Sequence, residues 1–284
     1  MDWISIIPES IQYIEKHITD DVSVESVAKN FNISPFFFQK GFMIMCGYSV
    51  SEYIRNRRLS LAGTDLLNKE NTITDIAMKY YYDSPDSFTK AFSRFHGATP
   101  TAVRKGEKAL KTFAPLKVKI VLEGGYLLDY KIVSKEAFSI IGVSKTFEDD
   151  IDGNDINNFW NEVKTSEYGK HIAMNLGVNI ADTKNNQIKY LAAELYNPQK
   201  DYPQHLEIHT IPARDWVIFP CVGPAPETMM RTYNQIYTEW LPTLNEYEID
   251  DDFIVEYYED ESKYEKAFED KNYCSEIWFP IRKR

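Results

Sequence analysis

The chain has 284 residues, 43% of them hydrophobic and 14% aromatic, which is enough apolar material to fill two ordinary cores. Its formal net charge of −11 would disfavour a nucleic-acid partner if it were evenly spread. Residues 1–112, however, carry 14 basic and 13 acidic side chains, a net +1, which leaves −12 for residues 113–284. This asymmetry predicts two domains with different partners, the first tolerating phosphate and the second favouring cations.

The sequence predicts neither export nor membrane insertion. No window approaches the roughly 18 uninterrupted apolar residues of a spanning helix, and residues 1–10 lack the basic start and apolar run of a signal peptide. The three cysteines, Cys46, Cys221 and Cys274, lie far apart in no disulfide or metal-ligand spacing. We therefore expect a cytoplasmic protein with no membrane partner, no bound metal and no cofactor.

The amino-terminal segment predicts a helix-turn-helix unit. Isoleucines from Ile7 to Ile18 are spaced four, three and four apart, which places them on one face of a first helix. Ser34-Pro35 supplies an N-cap and the proline favoured at the first position of a later helix. Asn32, just before it, is one of the few residues that tolerate the left-handed conformation of a tight turn.

This segment repeats at an offset of 50 residues, so the structural unit is duplicated. A capping box at Ser49 opens a helix that is predicted to reach Leu67 and to join the two copies. At about 1.5 Å per residue this helix spans roughly 27 Å, the order needed to set two helices into successive major-groove turns about 34 Å apart. The matched positions are Ser34, Pro35, Phe38, Lys40, Phe42, Gly47 and Ser49 in the first copy, and Ser84, Pro85, Phe88, Lys90, Phe92, Gly97 and Thr99 in the second.

The second copy, ITDIAMKYYYDSPDSFTKAFSRFHGATPTAVR, has an Ile-Ala start, a Phe-x-x-x-Phe core, a Gly-x-x-Pro and a closing Arg in register. In these features residues 5–110 resemble the AraC/XylS family, whose DNA-binding domain has two helix-turn-helix units joined by a long helix. The resemblance implies double-stranded operator DNA and RNA polymerase as partners, and it favours an activator. Tyr81 stands where the family commonly has a turn glycine, so we expect a strained or differently shaped second turn.

The candidate DNA-binding residues lie on helix faces that the core phenylalanines are expected to leave exposed. A plain helical bundle that binds protein is the alternative, but it gives no reason for the whole unit to repeat across a connecting helix. These faces give Phe36, Phe37, Gln39 and Lys40 in the first unit and Asp86, Ser87, Thr89 and Lys90 in the second, with Arg104 for phosphate contacts in a terminal helix. The resemblance implies that the base-facing positions are Phe36, Gln39 and Lys40 in the first unit and Pro85, Asp86, Thr89 and Lys90 in the second.

From about residue 113 the pattern changes to strand-like alternation. The order strand, helix, strand, strand is predicted twice, and the two α+β halves should share one antiparallel sheet. The fold class is therefore multi-domain. It comprises an all-α amino-terminal domain with two helix-turn-helix units (1–110), a linker and first strand (111–125), and an α+β carboxy-terminal domain (126–284).

The second half, which includes FSIIGV, HTIPARDWVIFPCVG and DDDFIVEYYED, resembles the GyrI-like effector-binding domain over about residues 125–284. The resemblance implies a cleft between two similar halves, in which a glutamate and aromatic rings bind an amphipathic, often cationic compound. The glutamate aligns with Glu256. Period-two alternation puts Glu256 on the same strand face as Ile254 and Tyr258, where a carboxylate beside rings can replace the hydration that a lipophilic cation loses.

The candidate effector-binding residues are one carboxylate and five aromatic side chains. Core packing explains each single ring equally well, and a salt bridge at a strand edge is the alternative for the carboxylate. The predicted set is Glu256, Tyr258, Trp160, Tyr190, Phe219 and Trp278.

The sequence thus predicts a transcription regulator whose first domain binds DNA and whose second domain binds a small effector, a lipophilic cation by resemblance. No Gly-rich phosphate loop, nucleophile elbow or Cys/His pattern indicates catalysis, so no catalytic residue is assigned. Two alternatives remain. One is a GyrI-like hydrolase of small molecules that uses the same glutamate as a general base, and the other is a protein that only sequesters its ligand.

Overall fold

The structure is a computed structural model, which describes residues 3–117, 128–147, 153–182, 187–250 and 253–284. The linker predicted at 111–125 lies outside these ranges from residue 118 onward. The chain first forms helices only and then a sheet with two main helices, in the order that the sequence predicts.

Within residues 3–117 the amino-terminal domain is helical, which confirms the predicted class of this domain. From the second helix to the seventh, each begins after a Ser or Thr whose side-chain oxygen accepts a hydrogen bond from the backbone N–H three residues on. None of the described helices is long and apolar enough to cross a membrane. The helices are α1 (Trp3–Lys16), α2 (Val24–Asn30), α3 (Pro35–Cys46), α4 (Val50–Asp65), α5 (Ile73–Lys79), α6 (Pro85–His96) and α7 (Pro100–Arg104).

The two helix-turn-helix units, α2–α3 and α5–α6, turn in the same way. Asn32 and Tyr81 both take the left-handed conformation, with φ of 53° and 61°. In each unit the next backbone N–H then bonds to the carbonyl five residues earlier, which closes the turn. A β-carbon in this conformation costs about 1–2 kcal/mol. The second turn is therefore strained but not differently shaped, and the Arg58 guanidinium, 5.0 Å from the Tyr81 ring centroid, offsets part of the strain.

The carboxy-terminal domain is one antiparallel sheet with helices α8 (Gly153–Thr165) and α9 (Glu227–Gln235), the latter continued by a π-helical turn to Trp240. Strands β3 and β8 pair at the centre, and outward from them the order is β3-β4-β2-β5 on one side and β8-β9-β6-β1 on the other. This order confirms the predicted two halves that share a sheet. The described strands are β1 (Lys131–Lys135), β2 (Phe138–Phe147), β3 (Leu176–Asp182), β4 (Gln187–Leu195), β5 (Glu207–Ile211), β6 (Arg214–Val222), β7 (Tyr247–Ile249, beside β9), β8 (Phe253–Tyr258) and β9 (Cys274–Lys283).

Alternation along the strands gives the sheet two faces. The helix face, which α8 and α9 cover, carries Glu256 together with its register partners Gly177 and Ile277. The opposite face closes on itself, since the rings of Phe138 in β2 and Trp216 in β6 lie 6.3 Å apart although four strands separate β2 from β6. The sheet is thus strongly curled toward the face opposite the helices.

The first helix-turn-helix unit shares its core with the carboxy-terminal domain. The ring of Trp3 in α1 lies 5.2 Å from that of Tyr237, and the ring of Phe37 in α3 lies 5.5 Å from the same tyrosine. Gly41 permits this packing, because a β-carbon there would collide with the Trp3 ring. The second unit has a separate core around buried phenylalanines of α6. The division between cores therefore falls between the two repeats and not between the two domains.

Replacing Tyr81 by glycine and by alanine separates backbone strain from loss of the ring. Both variants lose the contact with Arg58, but only alanine keeps a β-carbon in the left-handed conformation. We expect Tyr81→Gly to exceed Tyr81→Ala by about 1 kcal/mol in the free energy of unfolding, measured with urea. Equal stabilities would mean that the turn changes shape once the ring is gone.

Candidate functional site

Glu256 of β8 is the centre of a buried polar cluster. The residue is 7% exposed, and its carboxylate accepts hydrogen bonds from three tyrosine hydroxyls. Tyr233 donates to Oε1 at 2.8 Å, while Tyr190 and Tyr258 donate to Oε2 at 3.1 and 3.3 Å. Because a buried carboxylate is costly without partners, these hydroxyls supply part of the stabilisation that water would otherwise provide.

Aromatic rings extend the cluster toward α8. Trp160 Nε1 donates to the Tyr190 hydroxyl at 2.8 Å, and the Trp160 ring lies edge-on to Tyr258 with centroids 5.4 Å apart. Burial first, and the charge of Glu256 second, raise the pKa values of Tyr190, Tyr233 and Tyr258 well above the ordinary range. All three hydroxyls therefore keep their protons and remain donors to the carboxylate.

The central strand β3 leaves room for these groups. Gly177 lies opposite Glu256 in register, and a β-carbon there would collide with the Tyr190 hydroxyl and lie 3.1 Å from Glu256 Oε2. The absence of a side chain at Gly177 thus allows Tyr190 to reach the carboxylate.

Asn179 lies two residues along the same strand face and is buried. Its side-chain Nδ2 has no hydrogen-bond acceptor among the described residues.

The structure brings together four of the six predicted effector-binding residues. Phe219 is on the helix face but two strands away, where its ring packs 5.0 Å from that of Trp240. Trp278 is on the opposite face, 6.1 Å from the Trp216 ring, so its expected grouping with the glutamate is wrong. The four that meet are Glu256, Tyr258, Tyr190 and Trp160.

Tyr233 is the residue of this cluster that the sequence analysis missed. It lies in α9 on a face with Met229, Ile236 and Tyr237, all of which are buried. Their three- and four-residue spacing is a sequence signal that Tyr233 points toward the sheet. No local signal, however, indicates that its hydroxyl meets Glu256.

The second helix-turn-helix unit presents its predicted residues to solvent. Pro85, Asp86, Ser87 and Lys90 are exposed, and Thr89 is half-buried. The core side of the same helix is formed by fully buried phenylalanines, as predicted. Helix α6 thus keeps an open polar face of the kind that enters a DNA groove.

The corresponding face of α3 is covered. Phe36, Phe37 and Gln39 are only 6%, 1% and 5% exposed, so the prediction that this face is open is wrong in this arrangement. The physical reason is docking of α3 on the carboxy-terminal domain, where Phe37 packs against the rings of Tyr237 and Phe279, with centroids 5.5 and 6.5 Å away.

Lys40 of α3 reaches the polar cluster of the other domain. Its Nζ lies 3.6 Å from Glu256 Oε1 and 4.7 Å from the centroid of the Tyr233 ring. The Lys40 side chain is 18% exposed, whereas its counterpart in the repeat, Lys90, is open to solvent. The carboxylate and one π face therefore already hold a cation that the chain itself supplies.

Arg104, the predicted phosphate contact, has a structural partner. Its guanidinium donates to the Asn71 carbonyl at 2.7 Å, which fastens the end of α7 to the segment before α5. Contact of Arg104 with a phosphate stays a prediction.

The cluster around Glu256 is suited to binding an organic cation. It combines one carboxylate, neutral hydroxyl donors and π faces in a largely dry site. In the described ranges, no group of three or more His, Cys, Asp or Glu side chains is arranged to hold a metal ion. These residues can compensate the positive charge of a ligand whose remaining surface is apolar.

Comparison with known proteins places both halves in families. Residues 131–281 match the Cass2 family, described as integron-associated effector binding protein, and residues 27–106 match a family of helix-turn-helix domains. The chain belongs to the AraC/XylS-type regulators with a GyrI-like effector-binding domain. Its two halves are thus a helix-turn-helix domain and an effector-binding domain.

The regulator is 30% identical to the right origin-binding protein of Escherichia coli (strain K12) over 150 residues, 52% of this chain and 50% of that protein. It is 31% identical to the HTH-type transcriptional activator AarP of Providencia stuartii over 116 residues, 41% of this chain and 86% of AarP. A solved structure, SAV2435 bound to tetraphenylphosphonium, matches with 15% identity and a TM-score of 0.45. The match covers 55% of this chain and 94% of the SAV2435 chain. The chain spans about half the length of the first of these relatives. Of these relatives, AarP is named a transcriptional activator.

The close approach at Gly177 is testable by a double-mutant cycle. We expect Gly177→Ala to lower the free energy of unfolding by about 1–3 kcal/mol, because the added methyl group collides with the Tyr190 hydroxyl. Tyr190→Phe removes that oxygen, so Gly177→Ala should cost clearly less in the Tyr190→Phe background. Additive losses in urea denaturation would contradict the assigned contact.

Proposed function

We propose that this regulator is a transcription activator that binds operator DNA through both helix-turn-helix units and binds a lipophilic organic cation at Glu256. The observation that carries the effector class is the buried carboxylate with its three tyrosine hydroxyls and the Trp160 ring. The activator role is supported by the resemblance to AarP, which is named an activator.

On the DNA side, α6 is the reading helix that stands open. Its exposed Asp86, Ser87 and Lys90, with the half-buried Thr89, offer acceptors, hydroxyls and a positive charge to base edges and phosphates. We assign the matching role in the first unit to Phe36, Phe37, Gln39 and Lys40. These residues can act only once α3 is no longer docked on the carboxy-terminal domain.

On the effector side, a bound cation exchanges its hydration for the Glu256 carboxylate and the faces of surrounding rings. Each ring contributes about 0.5–2 kcal/mol, so the carboxylate and several rings together are needed for useful affinity. The buried amide Nδ2 of Asn179 gives the site a further polar group for a ligand acceptor. As an activator, the protein also requires RNA polymerase as a partner. It binds operator DNA in the cytoplasm.

Lys90→Ala tests the open reading helix. We expect binding to duplexes from the regulator's own upstream region to weaken by about 1–3 kcal/mol, and the slope of log affinity against log salt to fall by about one if Lys90 meets a phosphate. Fluorescence anisotropy across a salt series measures both. Lys271→Ala removes the same charge from an exposed site in the carboxy-terminal domain and should leave DNA affinity unchanged. Equal effects of the two variants would remove Lys90 from the interface.

Glu256→Gln tests the cation site. Tetraphenylphosphonium is a suitable probe because it presents one delocalised positive charge inside an apolar, aromatic surface. We expect calorimetric titration to give at least tenfold weaker binding in Glu256→Gln than in the wild type, a difference of about 1.4 kcal/mol or more.

Two controls make this measurement specific. Glu265→Gln removes an equal charge from an exposed position and should bind tetraphenylphosphonium as the wild type does. Tetraphenylborate has the same shape with the opposite charge and should not bind. Undiminished binding of the cation to Glu256→Gln would refute the assignment of the carboxylate.

A further inference from the structure

A lysine of the first recognition helix, α3, lies in the candidate effector site. Lys40 Nζ lies 3.6 Å from Glu256 Oε1, and Tyr233 donates to the same oxygen at 2.8 Å while its ring lies beneath the ammonium group. Carboxylate, hydroxyl and π face are the groups that a cationic effector would use. A lysine of the DNA-binding domain stands in the place of that effector.

The repeat provides an internal comparison for this contact. Helices α3 and α6 have the same length, the same Ser-Pro start and the same left-handed glycine cap, with φ of 73° at Gly47 and 72° at Gly97. They differ at the outer face, where Phe36 and Phe37 replace Asp86 and Ser87. The outer face of α3 is therefore apolar where that of α6 is polar, and it is buried where that of α6 is exposed.

The docked position of α3 excludes DNA reading by that helix. A recognition helix must place its outer side chains in the major groove. In α3, Phe37 is buried against Tyr237 and Phe279, and Phe36 and Gln39 are buried as well, which leaves no surface for a duplex. Release from the carboxy-terminal domain must precede any contact of this helix with bases.

We propose that Lys40 is an internal ligand of the effector site, so that an effector cation displaces it and frees the first recognition helix to bind DNA. This inference rests on the proposed cation-binding function. It adds that effector and α3 compete for Glu256, and that cation binding and DNA binding therefore favour each other.

The competition has a thermodynamic limit that makes it measurable. An effector shifts the equilibrium only by the ratio of its affinities for the released and docked arrangements. By linkage, DNA must tighten cation binding by the same factor by which the cation tightens DNA binding. The apolar contacts of Trp3 and Phe37 persist without Lys40, so loss of its charge weakens docking without abolishing it.

The first measurement is titration of the full-length protein with tetraphenylphosphonium. Lys40→Met keeps the length of the side chain and removes the charge that competes for Glu256. We expect it to bind the probe at least tenfold more tightly than the wild type. Lys29→Met, which removes an exposed charge from the same helix-turn-helix unit, should bind as the wild type does.

The second measurement needs no ligand. Backbone amide hydrogen exchange in α3 should accelerate severalfold in Lys40→Met and in Glu256→Gln, because each loses one partner of the ion pair that helps to dock the helix. Exchange in α6, which has its own core, should stay unchanged and serves as the reference within each sample.

The outcomes separate this inference from the proposed function. Tighter probe binding by Lys40→Met together with faster α3 exchange supports both. If the wild type binds the probe and Lys40→Met binds it no more tightly, the cation site stands and the competition is overturned. If no variant binds the probe, the cation function falls. The internal contact is then supported by faster α3 exchange and overturned by unchanged exchange.

Discussion

Glu256 carries a negative charge into the interface between two domains, where little water can solvate it. Three tyrosine hydroxyls and one lysine ammonium compensate the carboxylate, and each comes from a different element or from the other domain. Strand β4, helix α9 and helix α3 each supply one of these partners. A site that binds a cation strongly is also costly to leave without one, and the chain resolves this by supplying its own.

The duplicated unit explains how one fold can hold a recognition helix in two different settings. Caps, turn and core phenylalanines are the same in both copies, so the backbone of α3 is that of α6. The outer face, in contrast, has diverged. Phe37 buries its ring on the carboxy-terminal domain, which Ser87 at the same position of the second unit could not do without losing hydration. Composition of the outer face therefore decides which unit docks.

Local signals were enough to predict the elements, but not how they meet. Both domains are predicted by signals that depend only on residues close together in the sequence. These signals are the repeat at an offset of 50 residues, the Ser-Pro caps and the twice-repeated order of strands and helices. The partner of Glu256 across the sheet depends on register, and so Trp278 was placed on the wrong face. The burial of Phe37 and the position of Lys40 depend on docking between domains, which no periodicity within a segment encodes.

The separate core of the second unit gives the docking a specific consequence. With α6 open and α3 covered, the regulator exposes one candidate reading helix, and the proposed release would expose a second. Two linked binding units exceed the affinity of either one because the second binds at a high effective concentration. If α3 is released as proposed, DNA recognition would gain strength and span, from one helix to two, while α6 would keep its half of the site. In that proposal, regulation would act on how firmly the protein holds its site, through a single ion pair reinforced by apolar packing.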